Sequence, residues 1–121
     1  MSFSTSGLLS GTCAVMFLAA CSSGPLPKAE FANAKAAISA AEASGAGQVP
    51  QAALHVKMAK DSVARAEEQM DEGENNEAKA TLERASADAQ LASKLTREQK
   101  IRSEANAAIE RTEQLRTQTT F

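Results

Sequence analysis

The sequence predicts an all-α protein, and three observations carry that expectation. The chain of 121 residues is very rich in Ala, well supplied with Glu, Lys, Gln, Arg and Leu, and has no Trp or Tyr, so strong helix formers dominate it. Apolar residues recur at spacings of three and four along the body, the period of one helix face. Two clusters of turn-forming residues, Gly45 to Pro50 and Gly73 to Asn76, cut that body into segments. The expected architecture is a helical hairpin or a three-helix, up-down-up arrangement from which a long C-terminal helix projects.

The first element is a leader. Residues 7–20 form an apolar run that is shorter than the about 20 residues a membrane-spanning helix needs but suits the core of a signal peptide. No Lys or Arg precedes it. The run ends in Leu18-Ala19-Ala20-Cys21, which resembles the lipobox of bacterial lipoproteins. In that motif small residues fit the peptidase cleft, and a cysteine thiol accepts a diacylglycerol through a stable thioether. The resemblance implies that residues 1–20 are a signal peptide, that cleavage falls between Ala20 and Cys21, and that Cys21 carries covalent lipid. An ordinary secretory cleavage after Ala20 fits less well, because it would put Leu18 at a position that favours small residues. Cys13 lies inside the discarded run. One cysteine then remains, which excludes a disulfide framework.

Residues 21–27 follow as the lipidated cysteine and a tether. Pro25 and Pro27 exclude helix there and are expected to keep the body off the membrane. By the same resemblance Ser22, where other lipoproteins carry a retaining Asp, implies sorting to the outer membrane, with the body facing the periplasm.

Residues 28–121 are read as one Ala-rich helical domain. The first helix is expected from about Pro27 to Ser44, offering Phe31, Ala34, Ile38 and Ala41. The second runs from about Pro50, suited to a first helical position, to Glu72 and carries Val56, Ala59, Val63, Ala66 and Met70. The third, from about Asn76 to Thr117 with Asn75 or Asn76 as N-cap, answers with Ala78, Leu82, Ala85, Ala89 and Ala92. The two last seams are complementary, and their short connection makes an antiparallel pair. The pattern Ala-Lys-x-x-aliphatic-x-x-Ala begins at Ala34, Ala59 and Ala78, which is read as the product of Ala-rich amphipathy rather than of a repeat architecture.

Chemistry is sparse. The single histidine, His55, lacks companions for a zinc site and is read as a surface residue. The acidic pairs Glu67-Glu68 and Asp71-Glu72 diverge by about 100° per residue and are read as solvated. No phosphate loop, nucleophile elbow or Cys/His dyad occurs, so neither an enzyme, a metal site nor a cofactor beyond the lipid on Cys21 is expected. The net charge of −2, mixed along the chain, argues against nucleic acid. The cluster Lys94, Arg97, Lys100 and Arg102 is interrupted by Glu98 and is read as charge pairing along an exposed helix.

The lipobox, Ala-rich helices and Gly-containing turns together resemble a family of small helical envelope lipoproteins of unknown function. In some relatives a similar segment precedes an outer-membrane-protein-A-like domain that grips peptidoglycan; its Asn-x-x-Leu-Ser-x-x-Arg-Ala motif is not found here. The chain is also similar to the murein lipoprotein, but it ends in Thr-Thr-Phe121 rather than the Lys through which that class joins the wall. The resemblance implies a structural or adaptor role at the outer membrane, with a protein partner or a second copy, and with non-covalent wall contact. The alternative is a helical groove for a lipid or other apolar ligand. Within the third helix, Ile101, Ala105, Ala108, Ile109 and Leu115 do not continue the seam from Ala78 to Ala92, and they are the expected partner-binding residues.

Overall fold

Three α-helices and one turn of 3-10 helix follow one another: α1 (Lys28–Ala43), the 3-10 turn (Ala46–Gln48), α2 (Pro50–Asp71) and α3 (Asn75–Thr119). The computed structural model describes residues 23–119, which are all-α and contain no strand. The leader with Cys13, the cleavage position Ala20 and the lipidation position Cys21 lie outside the described residues.

Each chain reversal is built by a glycine that closes the preceding helix. After α2, Gly73 takes a left-handed φ of 81°. Its N–H donates to the Met70 carbonyl and that of Glu74 reaches back to Gln69, at 3.1 and 2.7 Å, so two otherwise orphaned carbonyls are satisfied. After α1, Gly45 also takes a left-handed φ, of 91°, and its N–H donates to the Glu42 carbonyl at 3.0 Å, while the Ser44 hydroxyl donates to the Ala41 carbonyl at 2.7 Å. Pro50 then occupies the first position of α2, where a missing N–H is harmless.

Two ion pairs fix the directions. Lys79, early in α3, lies 3.4 Å from Glu30, early in α1, so these helices run parallel. Lys60, midway along α2, meets Glu42 near the end of α1 at 2.5 Å, and with short turns at both of its ends α2 runs back antiparallel to the other two. Of the two architectures the sequence allowed, the three-helix, up-down-up one forms.

The core is a continuous seam of small residues. Ala34, Ile38 and Ala41 from α1, Ala52, Val56, Ala59, Val63 and Ala66 from α2, and Ala78, Leu82, Ala85, Ala89 and Ala92 from α3 are buried, with Ala46 of the 3-10 turn closing one end. Phe31 and Met70, expected in the seam, are partly buried at its edges, and Ala52 and Ala46 join it unannounced. Among the described residues Leu82 is the one large side chain with less than 2% exposure. Alanine methyls let helix backbones approach closely, but each removes little apolar area at about 25 cal/mol per Å², so this core depends on seam length and helix propensity.

Two local expectations change. Neither Asn75 nor Asn76 is the N-cap of α3: the Ala78 N–H donates to the Glu74 carbonyl at 2.9 Å, so Asn75 is already inside the first turn. Its side-chain amide instead donates to the Gly24 carbonyl at 2.6 Å. The described part of the tether is therefore docked on the α2–α3 turn rather than free, with Pro27 buried. Gly24 sits so close to the Asn76 side chain that a Cβ there would collide with it.

Candidate interaction surface

Helix lengths decide what is left uncovered. At about 1.5 Å per residue, the 22 residues of α2 span roughly 33 Å and the 45 of α3 roughly 67 Å. From Arg97 to Thr119 every residue of α3 is exposed. The five positions expected to bind a partner all lie in this stretch, with Ile101, Ile109 and Leu115 at 58, 57 and 57% exposure. The structure brings them onto one projecting rod and packs nothing described against them.

Their azimuth has a simple origin. Ala87 and Lys94 of α3 line the two depressions in which α1 meets α3. Steps of seven residues from them lead to Ile101, Ala108 and Leu115 along the same row, drifting only about 20° per step. The distal apolar row is thus the lane that α1 occupies lower down. That lane empties where α1 ends, opposite Arg97 and Lys100.

At that point lies an open groove of about 590 Å³, floored by Ala37 and Ala40 and rimmed by Lys94, Arg97 and Lys100. Sequence reasoning treated these cations, with Arg102, as members of a paired series. The structure separates them. Arg102 pairs with Glu98 at 2.6 Å, whereas Lys100 is only 4.0 Å from Glu104, and Lys94 and Arg97 have no carboxylate within ion-pair reach among the described residues. Three of the four cations converge on the end of α1, where the last helix carbonyls carry partial negative charge.

His55 is a correction. It is not a free surface residue: its Nδ1 donates to Asp88 Oδ1 at 3.0 Å, linking α2 to α3, with the side chains 25 and 15% exposed. A carboxylate only accepts, so the contact places the proton on Nδ1. The i, i+33 separation of this pair hid it from a reading based on local spacing. Glu67, Glu68, Asp71 and Glu72 are exposed. Among the described residues no group of three or more His, Cys, Asp or Glu is placed to hold a metal ion, and no helix is long and apolar enough to cross a membrane.

The family whose profile matches residues 29–108 is described as a domain of unknown function, DUF4398. The chain belongs to this family. No curated protein and no solved structure matches the chain. The extent of the match is informative about the rod. The DUF4398 region begins at Ala29, one residue into α1, and ends at Ala108, past Ile101 and Ala105. The domain therefore includes the first twelve residues of α3 beyond Thr96, and the projection starts as part of the DUF4398 unit.

Proposed function

We propose that this DUF4398 protein is a lipid-anchored, non-enzymatic structural or adaptor protein of the bacterial envelope, held by acyl chains on Cys21 at the outer membrane with its helices in the periplasm. The observation that carries the proposal is the sequence Leu18-Ala19-Ala20-Cys21 at the end of a short apolar run, directly ahead of the helical domain. Support for the role comes from the division of α3 into a packed base and an uncovered rod: a bundle that spends roughly half of its longest helix outside its own core is built to hold that helix out. His55 and Asp88, the groups with most chemistry to offer, are occupied with each other. The groove at the end of α1 is open and rimmed by three cations, which does not suit a wholly apolar ligand.

Labelled palmitate in living cells tests the anchor. The wild-type chain should take up label and fractionate with the outer membrane, and Cys21→Ala should do neither. Equal labelling of the two would overturn the proposal. Truncation after Thr96 tests the role: the shortened protein should keep its anchor and lose the crosslinked species that the full chain forms in cells.

A further inference from the structure

We infer that the rod pairs with the rod of a second copy of this chain, antiparallel, with Ala105 of one packed against Ala108 of the other. The inference rests on the role proposed above and names the occupant of the uncovered lane. Three features of the rod lead to it.

The first is the seam. Ile101, Ala105, Ala108, Thr112, Leu115 and Thr119 follow at spacings of four, three, four, three and four, which is the core row of a two-stranded coiled coil. The flanking positions on one side of this row are Arg97, Glu104 and Arg111, and on the other Arg102, Ile109 and Arg116.

The second is charge, which separates the registers. In a parallel, in-register pair each residue of the first flank meets the residue five further on in the other copy. That would set Arg97 against Arg102 and Arg111 against Arg116. An antiparallel pair sliding one heptad either way from the inferred register would set Arg111 against its own counterpart, or Glu104 against its own. With Ala105 facing Ala108, Glu104 of each copy meets Arg111 of the other, twice by symmetry. Ile101 then faces Thr112, and Ile109 lies beside the aliphatic stem of Arg102.

The third is length. In that register the positions around Leu115 of one rod face Glu98 of the other, so the last described turn of the second copy's α3 lies beside Lys94 and Arg97, where α1 ends. Among the described residues those two cations lack a carboxylate within reach. One rod fills the vacant lane and meets the cationic rim at its end.

The test is sedimentation velocity on the full chain at low salt, in a large excess of non-ionic detergent micelles, with far-UV circular dichroism confirming that each variant remains helical. Wild type should show a monomer–dimer equilibrium that weakens with added salt. Glu104→Arg and Arg111→Glu should each raise the dissociation constant by about tenfold or more, and the double variant should restore it. A parallel pair would instead be tightened by Arg111→Glu and left unmoved by Glu104→Arg, which overturns the inference. So does a wild-type chain that stays monomeric, or a double swap that fails to rescue. Palmitate incorporation at Cys21 does not depend on Glu104 or Arg111, so failure of the pairing and failure of the anchored role are read separately.

Discussion

Replacing Leu82 by Ala asks how much of the fold rests on a single side chain. Leu82 is fully buried on α3 and is the one large residue so enclosed among the described residues. Truncation removes three carbon atoms from water-free surroundings, worth about 2.4 kcal/mol at about 0.8 kcal/mol per methylene. The rigid Ala seam around it can collapse only in part, and the cavity left adds about 1 kcal/mol at roughly 24 cal/mol per Å³. Ala returns a few tenths of a kcal/mol through its higher helix propensity. The net cost is about 3 kcal/mol, which for a domain of this size lowers Tm by roughly 12–24 °C. Urea and thermal melts followed by circular dichroism measure it, with Leu54→Ala on α2, 57% exposed, as the matched control expected within about 0.5 kcal/mol of wild type. A loss below about 1 kcal/mol for Leu82→Ala would refute the idea that the bundle is pinned at this residue.

Val63→Pro should cost about 3 kcal/mol or more, because the ring removes a hydrogen bond in mid-α2 and displaces the carbonyl of Ala59; a melting temperature near wild type would show that α2 tolerates a break there. Asp88→Ala should destabilise by about 1 kcal/mol, since it leaves the half-buried Nδ1 of His55 without its acceptor, and the double variant with His55→Ala should show that the two losses are not additive. Asn75→Ala should leave the stability of the bundle within about 1 kcal/mol of wild type yet expose the chain around Gly24 to limited proteolysis, because the amide that holds it is gone. Resistance equal to wild type would mean that the tether is held by Pro27 alone.

Much of the fold was legible because helix period and turn chemistry are local signals. Val56, Ala59, Val63 and Ala66 declared their face by spacing alone, and Gly45 and Gly73 declared the ends of α1 and α2 because a left-handed residue is needed there. The Asn at the start of α3 misled for a physical reason: Asn is a good N-cap, but the cap position falls one residue earlier, at Glu74, and the Asn75 amide turns to a carbonyl 51 residues away, which no local rule contains. The same holds for His55, whose acceptor lies on another helix. The uncovered character of Ile101 to Leu115 was readable from helix lengths and azimuth. That the same row is the continuation of the α1 lane was not, because the side of α3 on which α1 lies is a tertiary choice.

The docked tether makes the molecule a lever. Gly24 is held at the foot of α3, so the chain at that residue is fixed to the base of a rod roughly 67 Å long rather than joined to it by slack. Tilting such a rod by about 10° at its foot sweeps the tip through roughly 12 Å, so small changes in the seating of the base become large changes in where the tip can reach. A free linker would absorb those changes. In the lipid-anchored arrangement proposed above, the contact between Asn75 and Gly24 would set the angular range that the distal row of α3 can sweep, although it lies at the opposite end of the molecule.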